Sequence, residues 1–221
     1  SICGWGEKLE IIAEIGQNHN GDLELACELI KKAKVCGADV AKFQLYDAKN
    51  LFPKEGNEWY EYNCKTELSF EDVEMLDRVC KEEGIEFMAS VFDIKRISWL
   101  EDLNVKRYKI ASRSIHEENL INAVIETGKP VLISLGMWKQ ESFPSYSGNI
   151  SYLYCISKYP TPLKELDFSK IDFSSYAGFS DHTEGVVAPI TALARGAKII
   201  EKHFTIDKTM HGPDHSGSMT P

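Results

Sequence analysis

Short apolar runs along this chain alternate with longer stretches in which apolar residues recur every three or four positions. The short runs lack the alternation of a half-exposed strand, which is typical of parallel strands buried on both faces. Eight such runs predict eight β-strands. They cover residues 9–16, 40–45, 86–91, 107–112, 130–136, 151–157, 176–182 and 198–204.

The stretches between several of these runs predict amphipathic helices. Asp22 can cap the first helix, and Ser69 with Asp72 resembles a capping box at the start of another. Further helical spacing covers residues 117–127 and 186–195. Glycine is the usual stop between a helix and the next strand in βα repeats. It stands at that place four times: Gly37, Gly84, Gly128 and Gly196.

Eight strands with intervening helices predict an α/β fold, a (β/α)8 TIM barrel that forms a single domain over residues 1–221. The fifth helix is reduced, because residues between Gly136 and Ser151 show no helical pattern. The eighth helix is absent from this chain, since the 17 residues after Phe204 show none either. An uncovered last strand exposes apolar surface, which a partner chain or another part of a longer protein would cover.

Composition restricts the classes of partner that this chain is expected to bind. The formal net charge is −9, with no basic run, which argues against nucleic acid. No run of 18 apolar residues and no signal peptide stand out, so we expect no membrane contact and a cytoplasmic location. Six cysteines occur without a C-x-x-C pair, and we expect reduced thiols.

Two histidines near the end of the chain suggest a metal site. His182 and His203 each close a predicted strand, with a helical stretch between them. Parallel strands that neighbour each other bring their carboxyl ends together, and α/β folds place their active sites there. Neutral imidazoles are good ligands for a divalent cation. Asp181 or Asp214 could orient a ligand or a bound water. A lone histidine would more often be a packing residue, but two on adjacent strands favour metal binding.

Lysines inside two apolar strands suggest an anion site. Burying an unpaired ammonium is costly, so Lys42 and Lys109 are candidate anion binders. The alternative is a structural pairing, of Lys42 with Glu14 for example. Strand-end serines can donate to phosphate or carboxylate oxygens. The full set of polar strand-end residues is Glu14, Asn18, His19, Lys42, Gln44, Lys109, Ser112, Ser134, Ser157, Tyr159, Ser180, His182, Glu201 and His203.

Five segments of this chain resemble the sialic acid synthase (N-acetylneuraminate synthase) family. They are Ile-Ala-Glu-Ile-Gly-Gln-Asn-His-Asn-Gly-Asp at 12–22, Ala-Lys-Phe-Gln at 41–44, Gly-Phe-Ser-Asp-His-Thr at 178–183, Glu-Lys-His-Phe-Thr at 201–205 and Gly-Pro-Asp-His-Ser-Gly-Ser-Met at 212–219. The resemblance covers almost the whole chain. Most bacterial and animal members continue into a small antifreeze-like domain, and this chain stops before it. A homodimer or a separate lid domain is therefore an expected partner.

The resemblance implies a transferase of carbohydrate biosynthesis that condenses phosphoenolpyruvate with N-acetylmannosamine or a related amino sugar. The products are a nine-carbon 2-keto acid and phosphate. By the family pattern His182 and His203 would hold Mn²⁺, with Mg²⁺ or Co²⁺ as alternatives. Phosphoenolpyruvate would be surrounded by Lys42, Lys109, Ser112, Ser134, Ser157 and Ser180. The sugar and the reaction centre would be lined by Glu14, Gln44, Tyr159, Glu201 and Asp214, with Glu14 or Glu201 managing the proton of water.

One segment of this chain departs from the family pattern. Members commonly carry Lys-Ile-Gly-Ser-Gly-Glu where this chain has Lys109-Ile-Ala-Ser-Arg-Ser114, and Ser114 cannot replace a carboxylate.

Two other functions compete with this one. A different phosphoenolpyruvate-dependent aldol synthase, acting on a shorter aldose phosphate, would need a second basic cluster, and the sequence shows none. A degenerate barrel that binds metal and an anion without turnover is the non-enzymatic alternative.

Overall fold

Eight parallel strands follow one another in chain order around a closed barrel, and the last strand pairs with the first. This computed structural model describes residues 8–221. The eight predicted strands and the barrel are confirmed, with β4 shorter than expected. The strands are β1 (Glu10–Gly16), β2 (Val40–Leu45), β3 (Glu86–Val91), β4 (Tyr108–Ile110), β5 (Val131–Ser134), β6 (Ile150–Cys155), β7 (Gly178–Asp181) and β8 (Ile199–His203).

Helices surround most of the barrel, and their caps follow the sequence. The Asp22 carboxylate accepts from the backbone N–H groups at the start of the first helix. The capping box of Ser69 and Asp72 is present, and Gly84 ends that helix in the left-handed conformation with φ 70°. The helices are α1 (Leu23–Val35), α2 (Ala48–Leu51), α3 (Tyr60–Lys65), α4 (Phe70–Glu83), α5 (Ile94–Asp102), α6 (Glu118–Glu126) and α7 (Val187–Ala194).

Both expected departures from the ideal barrel are confirmed. Residues 135–149, between β5 and β6, contain no helix in the part of the chain that the structure describes. After β8, the described residues form no α-helix; they contain a short 3₁₀ turn, His215–Gly217, and an isolated bridge between Phe204 and Met219. A third departure was not expected: two 3₁₀ turns, Leu163–Glu165 and Phe168–Lys170, stand where a helix would follow β6. A groove of about 270 Å³ lies beside β8, lined by Ile11, Ala33, Pro189 and Ile200 among others.

The barrel interior changes from apolar to polar along the strands. Six buried side chains form one apolar cluster inside the barrel: Ile12, Val40, Met88, Leu132, Leu153 and Ile199. Side chains two positions apart on a strand face the same side. Two positions further toward the carboxyl end, the same strands carry polar groups or a thiol: Glu14, Lys42, Ser90, Ser134, Cys155 and Glu201. The sequence therefore builds an apolar plug with a polar layer above it.

The opposite end of the barrel is closed by an arginine. Arg107 lies half-buried just before β4 and forms ion pairs with Glu86 on β3 and Glu10 on β1. Its Nε atom is 2.9 Å from Glu86 Oε2. One guanidinium thus bridges two acidic residues at the amino ends of the strands, where TIM-barrel residues mostly serve stability.

Two expectations from composition can be compared with the structure. Cys27, Cys36, Cys64, Cys80 and Cys155 are free thiols, as expected, and Cys3 lies outside the described residues. Within residues 8–221, every helix is too short or too polar to cross a bilayer.

Candidate active site

Four charged side chains meet above the apolar plug. The Nζ atom of Lys42 is 2.7 Å from Glu14 Oε2 and 3.2 Å from Glu201 Oε2. The Nζ atom of Lys109 is 3.2 Å from Glu201. All four residues are at least 93% buried. The structural pairing of Lys42 with Glu14 is thus present, and it places two ammonium groups at the floor of the cavity described below.

The pKa values of these groups follow their partners. Burial alone would lower the pKa of Lys42, but Glu14 and Glu201 outweigh it and raise that pKa. Burial lowers the pKa of Lys109; Glu201 offsets this only in part, and the charge of Lys42 adds to the lowering. Burial would raise the pKa of Glu201, but Lys109 and Lys42 hold it well below its usual range. Glu201 is therefore a carboxylate at neutral pH, and Lys109 is the lysine that loses its proton more easily.

A cavity of about 290 Å³ opens above these charges at the carboxyl ends of the strands. It brings together twelve of the thirteen residues that the resemblance assigns to the site. They are Glu14, Lys42, Gln44, Lys109, Ser112, Ser134, Ser157, Tyr159, Ser180, His182, Glu201 and His203. The thirteenth, Asp214, lies outside the lining, with its Oδ2 atom 3.7 Å from His203 Nε2.

Hydroxyl groups line one wall of this cavity. The Oγ atoms of Ser134 and Ser180 are 2.7 Å apart, and Lys42 donates to the Oγ atom of Ser90 at 2.9 Å. Ser112 accepts from the backbone N–H of Gly136 at 3.0 Å. A side chain at Gly136 would enter this wall, because an added Cβ would lie 2.3 Å from Ser157 Oγ. The wall presents hydroxyl groups next to two ammonium groups, which suits an anion with several oxygens.

The two imidazoles lie on the other side of the cavity. His182 donates from Nδ1 to the backbone carbonyl of Ile156 at 2.9 Å, which leaves its Nε2 atom as a lone-pair donor. The ring centroids of His182 and His203 are 5.9 Å apart. Tyr159 contacts both rings and donates from its hydroxyl to the carbonyl of Asp214 at 3.0 Å. Burial raises the pKa of Tyr159, so the hydroxyl keeps its proton.

These residues fit part of a metal coordination sphere. An imidazole whose other nitrogen is fixed by a carbonyl is the usual form of a metal-ligating histidine. Within residues 8–221, no three His, Cys, Asp or Glu side chains are grouped as a complete ligand set. His182 and His203 would thus supply two ligands, and water or substrate the others. Burial lowers the pKa of His182, but Cys155 and the Ile156 carbonyl outweigh it and raise the pKa, so protons would compete with a metal at low pH.

Some predicted residues lie elsewhere. Asn18 and His19 are completely buried and do not line the cavity. Asn18 donates to Ser218, and His215 donates to Asn20, so the loop after β1 ties down the segment that carries Asp214. Ser114 is also buried away from the cavity.

Sequence reasoning missed six contributors. Five are further lining residues, Ser90, Ala111, Arg113, Met137 and Cys155, and the sixth is Gly136, which packs against the hydroxyl wall. Ser90 and Cys155 could have been found, because they lie two positions after inward apolar residues of β3 and β6. Arg113 and Gly136 offered no comparable signal.

Comparisons with known proteins identify the family of this chain. Residues 29–221 match the model of the NeuB family. The chain is 42% identical to an uncharacterized protein of Methanocaldococcus jannaschii over 99% of its length, and 38% identical to N,N'-diacetyllegionaminic acid synthase of Legionella pneumophila over 96%. It spans 68% of the length of each. The structure of N-acetylneuraminic acid synthetase from Leptospira borgpetersenii superposes with a TM-score of 0.87 at 29% identity, covering 100% of this chain and 83% of that one.

Proposed function

Because this chain belongs to the NeuB family, we propose that it condenses phosphoenolpyruvate with an amino sugar of the N-acetylmannosamine type. The products are a nine-carbon 2-keto acid of the sialic-acid type and inorganic phosphate. A relative from Legionella pneumophila is an N,N'-diacetyllegionaminic acid synthase, which supports an assignment to the phosphoenolpyruvate-dependent synthases.

The observation that carries this proposal is the pair of buried ammonium groups under a wall of hydroxyls. Lys42 and Lys109 are both at most 3% exposed, yet both line an open cavity. Their charges are balanced by Glu14 and Glu201. A ligand with a carboxylate and a phosphate would share these ammonium groups and accept hydrogen bonds from Ser112, Ser134, Ser157 and Ser180.

The chemistry has three bond changes. The enol carbon of phosphoenolpyruvate forms a carbon–carbon bond to the aldehyde carbon of the open-chain sugar, whose oxygen takes up a proton. Water adds to the resulting cationic C2 and loses a proton. The C–O bond to phosphate then breaks, which gives the 2-keto group and inorganic phosphate.

Residues of this chain support these steps. The lysines neutralise the carboxylate and phosphate charges throughout. Glu201 is a carboxylate at neutral pH next to two lysines, and Glu14 accepts from Gln44 at 3.2 Å. Either carboxylate can take the proton of the attacking water. His182 and His203 would hold a divalent ion, for which we propose Mn²⁺, and when bound it would supply Lewis acidity toward the aldehyde oxygen.

Phosphate release from phosphoenolpyruvate tests this proposal. The assay uses enzyme with and without Mn²⁺, across N-acetylmannosamine, mannose and related amino sugars, with mass analysis of the products. We expect release that requires both sugar and metal, a 2-keto acid product, and loss of release in Lys42→Met. No release with any sugar, alongside retained binding of metal and phosphoenolpyruvate, would show a barrel without turnover.

We also propose that a second chain or a lid domain covers part of this barrel. The groove beside β8 is lined mostly by apolar side chains and backbone, and Val187 and Ile190 next to it are each 60% exposed. Light scattering coupled to gel filtration, repeated with Ile190→Asp, tests a homodimer: a dimer that the variant dissociates supports it, and a monomer contradicts it.

A further inference from the structure

Arg113 occupies the mouth of the candidate active site. It lies in a 3₁₀ turn, Ser112–Ser114, that directly follows β4. The turn places Ser112 and Arg113 on the cavity lining and buries Ser114 to 1% exposure.

Two aromatic rings hold the guanidinium group. The Cζ atom of Arg113 is 5.3 Å from the ring centroid of Phe52 and 5.9 Å from that of Phe92. Tyr46 packs edge-on against both rings. The Tyr46 hydroxyl is itself fixed by a hydrogen bond from Gln17, so the rings stand on an ordered part of the barrel. A cation–π contact forms no conventional hydrogen bond with the ring, so guanidinium N–H groups that point away from the rings stay available as donors.

No carboxylate neutralises this arginine in the described part of the chain. Arg96 pairs with Asp93, and Arg107 pairs with Glu10 and Glu86, whereas Arg113 forms no ion pair within residues 8–221. The four buried charges at the cavity floor already balance one another. Arg113 is therefore an uncompensated positive charge on the cavity lining, separate from the floor lysines.

We propose that Arg113 binds an anionic substituent, a phosphate or a carboxylate, carried by the sugar acceptor away from its aldehyde. This inference rests on the proposed function. With phosphoenolpyruvate on the floor lysines, the acceptor fills the space toward the mouth, where Arg113 offers a planar fork. Such a fork suits the paired oxygens of phosphate or carboxylate better than a neutral hydroxyl.

Acceptor selectivity tests the inference. The probes are N-acetylmannosamine, its 6-phosphate and the corresponding 6-carboxylate, each assayed with saturating phosphoenolpyruvate and Mn²⁺. We expect the enzyme to prefer one of the two anionic sugars over the neutral one, and the preferred anion identifies the group. In Arg113→Met, which keeps a long apolar side chain against Phe52, the ratio of kcat/KM for anionic over neutral acceptor should fall about 10- to 100-fold, the range for a hydrogen bond to a charged group. Arg113→Lys keeps the charge without the planar fork, and its kcat/KM ratio should lie between those of the native enzyme and Arg113→Met.

Arg78→Met, at an exposed position on α4, is the matched control and should leave the ratio unchanged. A preference for the neutral sugar overturns the inference. So does an unchanged ratio in Arg113→Met, as does a rise in KM for phosphoenolpyruvate alone, which would mark Arg113 as a ligand of that substrate.

Direct binding separates this inference from the proposed function. Calorimetric titration of the preferred anionic sugar into enzyme and into Arg113→Met needs no turnover. Tenfold weaker binding to the variant, with no turnover of any sugar, would keep the inference and remove the proposed function. Turnover restricted to neutral sugars would do the reverse. If the enzyme turns over no sugar and its binding of the anionic sugar does not depend on Arg113, both the inference and the proposed function are removed.

Discussion

The Nζ atom of Lys109 lies 3.2 Å from both carboxylate oxygens of Glu201. Lys109 is on β4 and Glu201 is on β8, so this ion pair crosses the barrel interior between opposite strands. Lys42 joins the same carboxylate from β2. Glu201 thus holds two buried ammonium groups together at the floor of the cavity, and its charge favours the protonated form of both.

Replacing Glu201 by Gln should therefore destabilise the fold. The variant leaves two buried lysines with one carboxylate, and removing one partner of a buried ion pair costs about 3–5 kcal/mol. We expect the free energy of unfolding, measured by urea denaturation, to fall by about 3 kcal/mol. Inorganic phosphate should restore more stability to the variant than to the native protein, because an anion then enters beside unpaired ammonium groups.

The exposed pair of Lys170 and Asp167 provides the control for this experiment. Its side chains are 82% and 54% exposed, so Asp167→Asn should lower the free energy of unfolding far less than Glu201→Gln does. An equal effect of Glu201→Gln and Asp167→Asn would show that the ion pair across the barrel contributes nothing specific.

Gly136→Ala should weaken binding of phosphoenolpyruvate with little loss of stability. The added Cβ would lie 2.3 Å from Ser157 Oγ and 3.0 Å from Ser112 Oγ. Both are ends of side chains that can rotate, so the fold tolerates the change while the hydroxyls leave the cavity wall. Loss of hydrogen bonds to a charged ligand predicts a KM for phosphoenolpyruvate about tenfold higher in steady-state assays.

Gly37→Ala is the converse variant. Gly37 has φ 93° and no atoms close to an added Cβ, so alanine there strains the backbone without touching the cavity. It should lower the melting temperature and leave KM unchanged. If Gly136→Ala lowered the melting temperature as Gly37→Ala does and left the KM for phosphoenolpyruvate unchanged, the hydroxyl wall would not be the phosphoenolpyruvate site.

His203→Ala should abolish metal-dependent activity and leave the fold intact. His203 is one of two imidazoles that face the cavity, so the variant leaves His182 as the one imidazole on the cavity lining. Loss of a group that merely supports a ligand costs 10–100-fold, so loss of a ligand should exceed about 100-fold in kcat/KM. Circular dichroism should match the native protein, and titration with Mn²⁺ should show weaker binding. Full activity in a metal-free preparation of this variant would remove His203 from the mechanism.

The barrel could be predicted from sequence because strands buried on both faces read as continuous apolar runs, as in Val131–Ser134. Helix α5 was missed because its interior face combines Ile97 and Leu100 with a charged residue, Arg96, which is buried against the ring of Trp99. The apolar stripe is therefore too thin to recognise, although Asp93 supplies a cap that the sequence does show.

Some residues of the candidate site could likewise be predicted from sequence, and others could not. Strand-end residues such as Lys42 and His182 follow from strand periodicity alone, because position along a strand sets which way they face. Arg113 could not be found in this way, since its placement depends on a 3₁₀ turn and on Phe52 and Phe92, which are distant in sequence.

His19 should make the free energy of unfolding depend on pH. This side chain is fully buried, and its Nδ1 atom accepts from the backbone N–H of Gly21 at 3.0 Å. Its Nε2 atom has no hydrogen-bond partner in residues 8–221. A second proton would have to sit on Nδ1, where it would face the N–H of Gly21. Burial accordingly lowers the pKa of His19 to about 4.

The sign of the effect follows from proton binding. Below about pH 6.5 the unfolded chain protonates His19, whereas the folded protein does so only near pH 4, so the unfolded state binds more protons in this window. The free energy of unfolding should fall as the pH falls, and this residue should contribute a loss of about 2 kcal/mol between pH 7 and 4.5. His19→Asn keeps an acceptor for Gly21 without a titrating group, so urea denaturation across that range should give the variant the shallower pH dependence. His116→Gln, at an exposed position, should retain the native slope, and parallel curves for His19→Asn and the native protein would show that His19 does not remain neutral in the fold.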